Sequence, residues 1–149
     1  HRSKLGVSQV ANVLAQTLYG RRMFPYYAFC VVAGLMGDGD GDGGGSVYVY
    51  DAIGSHEQVA VAAAGTGREQ MQPILDRLFC SSVAMSDDDA EPILPAPPGV
   101  LPKVVPTQVD CSVSEAVERL KQAYHAVAER EIGVGDCLII VVAEKKMLT

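Results

Sequence analysis

Val10, Ala11, Leu14, Thr17, Leu18 and Arg21 recur at i, i+3, i+4 spacing after Ser8, the signature of one face of an amphipathic helix. The spacing predicts a helix from residue 8 to about 23, with Ser8 as N-cap and Pro25 as its stop. The next stretch, YYAFCVVAGLM (26–36), is almost continuously apolar and predicts a strand covered on both faces. GDGDGDGGGS then places six glycines in nine residues, a flexible tip. In VYVYDA, Val47 and Val49 alternate with Tyr48 and Tyr50, so this stretch and the one before it form a predicted antiparallel hairpin.

HEQVAVAAAG (56–65) predicts a third strand, whose Ala62, Ala63 and Ala64 permit close packing. Residues 65–80 predict a helix with Met71, Ile74, Leu75 and Leu78 on one side and Pro73 bending it or removing a hydrogen bond. The stretch 81–110 holds six of the eight prolines and predicts a long irregular connection. SVSEAVERLKQAYHAVAEREI opens with the capping box Ser112…Glu115 and sets Val113, Val117, Leu120, Tyr124 and Val127 on one face. GVGDCLIIVVAE predicts a sharp turn into a final buried strand. The predicted order α, β, β, β, α, loop, α, β describes one α/β layered domain with antiparallel hairpins.

Charge sharpens this picture. Asp38, Asp40 and Asp42, with five acids against Lys103 between Ser81 and Asp110, more than account for the net charge of −6. The remaining body offers no basic field for nucleic acid or an anionic membrane, and neither is an expected partner. The longest apolar run, Ala28 to Met36, falls well short of the ~20 residues that span a bilayer. Cys30, Cys80, Cys111 and Cys137 lie far apart without zinc-ligand spacing and read as reduced thiols of an intracellular protein. In 149 residues, about one domain's worth, a sizeable core is available.

Local motifs carry little chemistry. DGDGDG from Asp38 matches the first half of a calcium loop, but the twelfth position is Val49 and the flanks are strands, so a solvated tip is the better account. GTGREQ from Gly65 lacks the third glycine of a dinucleotide fingerprint and the lysine of a P-loop; a helix N-terminus there could hold an anion, but a plain helix start is the better account. His1, His56 and His125 have no metal-binding spacing, and His125 shares a polar helix side with Lys121 and Glu129. Cys30 and Cys137 fall within apolar strands, where burial suppresses thiol reactivity. No metal and no cofactor is expected.

LYGRRMFPYY (18–27) concentrates four of the nine aromatics in ten residues. Followed by GL, the Gly-rich tip, VYVYDAIGSHE, AAAGTG, MQPILD and AEREIGVGD, it resembles the beta subunits of the twenty-S proteasome, nearest to their non-catalytic members. The order and spacing of these segments across residues 8–145 make the combination specific, and the Pro/Asp-rich stretch 81–110 is its departure. The resemblance implies the four-layer α-β-β-α sandwich of the N-terminal-nucleophile hydrolases. It also implies that this chain is a single partial domain, the C-terminal two-thirds of a subunit, with early strands and a first helix preceding His1.

In active members of the family a Ser near the start of the third helix, and an Asp and a Ser in the turn after the fourth, orient an N-terminal threonine whose amine is the general base. The matching positions here are Thr66, Glu131 and Val134. Glu131 is one methylene longer than aspartate and Val134 cannot hydrogen-bond, so the resemblance implies a degenerate shell and no catalytic residue. Glu131 is equally readable as a helix-end cap or a partner of Arg130.

The resemblance places Arg21, Arg22, Phe24, Tyr26 and Tyr27 at the corner between a helix and the next strand. There the arginines meet the negative end of the helix dipole, and the rings bury area at a layer edge or against a neighbouring subunit. Local corner packing is an equal alternative. The function implied is that of a structural subunit, inactive by itself, within a threonine endopeptidase complex of alpha and beta subunits in the cytoplasm and nucleus that degrades ubiquitin-marked proteins. Two alternatives stand beside it: a catalytic subunit whose threonine lies upstream of His1, and a free-standing α/β binding module.

Overall fold

The computed structural model describes residues 5–35, 44–80 and 109–144. The Asp/Gly tip, the Pro-rich stretch 81–108 and His1 lie outside the described residues.

Helix α1 spans Val7–Tyr19. Its N-cap is Gly6, which has no side chain to offer, so Ser8 is already inside the helix rather than capping it. The helix ends earlier than the periodicity predicts. From Gly20 the backbone tightens into i→i+3 bonds, Arg21 N–H to the Leu18 carbonyl and Arg22 N–H to the Tyr19 carbonyl, before Pro25 is reached. The buried face is Val7, Ala11 and Leu18.

Strand β1 spans Val31–Leu35 and is half the predicted length. Tyr27 takes a left-handed backbone, φ 52°, which breaks the extended run. β2 (Gly45–Tyr50) pairs antiparallel with β1, with Val32 opposite Tyr48 and Ala33 opposite Val47. β3 (His56–Val59) pairs antiparallel with β2, with Tyr50 opposite His56, so the sheet order is β1-β2-β3. The tight turn between β2 and β3 is held by the Asp51 carboxylate, which accepts from the Ile53 and Ser55 N–H groups at 3.0 and 2.8 Å.

Side chains alternate across the sheet. Cys30, Val32, Tyr48 and Tyr50 face α1 and pack on Ala11 and Leu18. The Tyr50 hydroxyl donates to the Ala11 carbonyl at 2.7 Å, fixing the helix to the sheet. On the far face Val31, Ala33 and Val47 line an open apolar groove of about 410 Å³ together with Leu75, Phe79, Val113 and Leu120. The expectation of a strand covered on both faces therefore fails among the described residues.

α2 spans Arg68–Leu75 and runs into a π-helical turn, Asp76–Cys80. Pro73 has no N–H for the carbonyl four residues back, and the helix widens in the turn that follows it. The predicted third strand stops at Val59. Beyond it, Gln72 takes over the role of a ladder neighbour: its Oε1 accepts from Ala63 N–H at 2.8 Å and its Nε2 donates to the Val61 carbonyl at 3.4 Å.

α3 spans Val113–Ala128, and Ser112 caps it by accepting from Glu115 N–H at 3.3 Å. The Glu115 carboxylate binds Arg119 instead of closing the capping box. The buried positions are Ala123 and Val127; with Leu75 and Phe79, Ala123 forms a second core cluster. Val113 and Leu120, expected on the buried face, remain exposed at the groove rim because nothing among the described residues lies over them. Among the described residues the predicted final strand does not form: 137–144 make no ladder there, and Ile139 and Val141 are 81% and 85% exposed. An apolar segment becomes a strand only beside a partner whose N–H and C=O groups are free. Cys137, expected in the core, is exposed for the same reason.

Candidate functional site

The start of α2 and the end of α3 meet in one corner. Gly65 supplies a left-handed residue, φ 103°, that turns the chain into α2. Gly67 is required by space: a Cβ there would lie 2.9 Å from Val134 Cγ2 and 3.1 Å from Val127 Cγ1. α3 closes with Glu131 N–H donating to the Val127 carbonyl at 2.8 Å, and the following turn closes with Val134 N–H donating to the Glu131 carbonyl at 3.0 Å.

Glu131 folds back over this turn. Its Oε1 accepts from Gly133 N–H at 3.2 Å and its Oε2 accepts from Gln70 Nε2 at 3.3 Å. The carboxylate thus bridges the turn to α2 and is not paired with Arg130. A Cβ on Gly133 would stand 3.1 Å from Thr66 Oγ1 and 3.5 Å from Glu131 Oε1, so Thr66, Glu131 and Val134 are brought together although 65 positions separate the first two.

The corner borders a groove of about 430 Å³ lined by Tyr27, Phe29, Gly65, Thr66 and Arg68. Past Phe29 and Arg68 it continues into an opening of about 470 Å³ lined by Tyr50, Asp51, Ser55, His56 and Glu57. Two of the polar groups here are engaged in structure. Asp51 holds its turn, and the His56 ring stacks on Tyr50 with centroids 5.0 Å apart at 13°.

A nucleophile needs a base within hydrogen-bond reach. Thr66 Oγ1 makes no hydrogen bond among the described residues, both Glu131 oxygens already accept from the chain's own N–H groups, and Val134 turns one methyl toward Gly67. The arrangement braces α2 against the turn that follows α3. Among the described residues no group of three His, Cys, Asp or Glu side chains could hold a metal ion.

The second set of predicted residues meets this groove at Tyr27. Phe24, Tyr26 and Tyr27 are exposed, and the guanidiniums of Arg21 and Arg22 sit 5.6 and 4.9 Å from the ring centroids of Tyr26 and Tyr19. The rings do not bury each other in a local corner. His125 is exposed on α3, and Cys80 lies in the second core cluster, where burial and then the Asp76 carboxylate raise its thiol above the ordinary value. Sequence reasoning missed Gln70 and Gln72, whose polarity on a helix reads as a solvent face, and missed Gly67, whose role depends on a contact with Val134 across the fold.

Residues 1–95 match the family model described as Proteasome subunit. The chain is 37% identical over 145 residues to the proteasome subunit beta type-1 of Oryza sativa subsp. japonica, covering 97% of this chain and 57% of the relative. Against the beta type-1 subunit of Arabidopsis thaliana it is 36% identical over 142 residues, covering 95% and 55%. Against the beta type-6 subunit of Saccharomyces cerevisiae it is 32% identical over 142 residues, covering 95% and 53%. The chain therefore spans about half the length of the curated relatives it matches. With nearly two-thirds of its residues inside the family model, and its helices and antiparallel sheet forming a mixed α/β fold, the chain belongs to the proteasome subunit family.

Proposed function

We propose that the chain is part of a non-catalytic beta subunit of the proteasome core, contributing ring contacts and chamber wall to the degradation of ubiquitin-marked proteins in cytoplasm and nucleus. The observation that carries this reading is the Thr66–Glu131–Val134 corner. Where active members orient a threonine, this chain has an occupied carboxylate and a Val134 methyl packed on Gly67. An orienting group must hold its geometry within about half an ångström, and a carboxylate committed to Gln70 and Gly133 serves the helices instead.

Its partners are the other alpha and beta subunits of the ring stack. Arg21, Arg22, Phe24, Tyr26 and Tyr27 supply one ring contact, since aromatics and arginine dominate interface hot spots. The four-layer sandwich belongs to the same proposal. The apolar groove between the far sheet face and α2–α3 is where a second sheet would sit, and Leu138–Val142, apolar and without a ladder, fits one of its strands.

The test is to treat intact particles with a threonine-directed epoxyketone and locate adducts by mass spectrometry. This subunit is expected to carry none. A stoichiometric adduct on its mature N-terminus would show a working threonine upstream and overturn the non-catalytic assignment, and absence of the polypeptide from core particles would overturn the assignment to the core.

A further inference from the structure

Two guanidiniums at the end of α1 are displayed rather than used. Arg21 stacks on Tyr26 and Arg22 on Tyr19, and neither has a carboxylate partner among the described residues. No acid occurs between Leu18 and Tyr27, so the corner is a cationic spot on a chain whose net charge is −6. Beside it Phe24 is 84% and Tyr27 76% exposed. Tyr27 holds a left-handed backbone, uncommon for a bulky side chain.

Ring contacts leave the guanidinium edges free to donate, and an arginine on an aromatic face is preorganised for bidentate carboxylate binding. The surrounding rings would exclude water from such a pair. That combination asks for a partner with carboxylates set in an apolar surface. A polyanion such as nucleic acid or an acidic membrane fits less well, because two arginines on a chain of net charge −6 make no extended basic field.

We infer that the Arg21–Arg22 corner docks on a carboxylate-bearing surface of a neighbouring subunit, with at least one of the two arginines forming a bidentate pair. This rests on the reading of the chain as a core subunit and names the chemistry of one of its neighbours.

The experiment uses core particles containing the native polypeptide with benzoylphenylalanine in place of the exposed Phe24, photo-crosslinked and mapped by mass spectrometry. The expected cross-link lies on another subunit within reach of an Asp or Glu. Arg21→Glu with Arg22→Glu should lower incorporation at least about tenfold, and reversing the mapped acid to Arg should restore it. The neutral pair Arg21→Gln with Arg22→Gln, checked by circular dichroism, separates loss of charge from loss of fold.

A cross-link within this chain or between two copies, to nucleic acid or lipid, or to a surface lacking carboxylates, would overturn the inference while leaving the core assignment intact. So would normal incorporation of the charge-reversed variant. A polypeptide that never enters core particles would remove the core assignment and this inference with it.

Discussion

Gly67 and Val134 are in contact across the α2–α3 corner so tightly that a methyl on Gly67 would lie 2.9 Å from Val134 Cγ2. Gly67→Ala is therefore expected to destabilise the corner by about 1–3 kcal/mol, the usual cost of overpacking. Adding Val134→Ala should return part of that loss. Urea unfolding of the four chains checks it, and additive effects of the two substitutions would refute the contact as the cause.

The buried Tyr50 hydroxyl gives stability an alkaline limit. Burial, then the neighbouring Tyr48 and Cys30, raises its ionisation above the ordinary value. A group raised in the folded state stabilises fully below the unfolded value, about 10 for tyrosine, and its contribution is lost as pH rises through the folded value. Tyr50→Phe should cost about 1 kcal/mol at neutral pH by removing the bond to the Ala11 carbonyl. It should also flatten the fall in unfolding midpoint above about pH 10; an unchanged alkaline slope would show that other groups set it.

Thiol reactivity should follow the structure rather than the sequence pattern. Cys137 is exposed, whereas Cys80 is partly buried with its pKa raised by burial and by Asp76. Iodoacetamide at neutral pH is expected to label Cys137 first and Cys80 slowly, with Cys80 labelling accelerating on alkalinisation. Peptide mass spectrometry reads the order, and faster labelling of Cys80 would contradict the burial described.

The apolar segment Leu138–Val142 should make the isolated chain self-associate, because exposed β-branched residues without a ladder recruit one. Ile139→Lys with Val141→Lys is expected to shift sedimentation toward monomer. The same pair should impair entry into core particles if the segment serves a second sheet. A monodisperse unsubstituted chain would remove the premise.

What could be read from the chain tracks how local each cause is. The Ser112 cap of α3 and the Tyr/Val alternation of β2 depend on neighbours a few residues away, and both elements formed where periodicity put them. The ends of elements were less legible. Gly6 displaced Ser8 as a cap because the helix already begins at Val7, and the left-handed Tyr27 shortened β1. The final strand failed because apolarity marks what a segment tolerates, whereas a ladder needs a partner that residues 137–144 lack among the described residues. At the site, no spacing rule joins Thr66 to Glu131; the family resemblance selected them, and the fold places them side by side. Gln70, which holds Glu131, carried no signal at all.

The two core clusters are also ordered along the chain. Every member of the first, from Ala11 to Tyr50, precedes every member of the second, which begins at Val61 and ends at Ala123. During synthesis every described member of the α1–sheet cluster is therefore made while α3 is still untranslated. The α2 segment emerges next without its helical partner, its Leu75 and Phe79 bare beside an equally bare sheet face. The nascent chain is most in need of a chaperone in that interval, between the making of Phe79 and the arrival of Ala123.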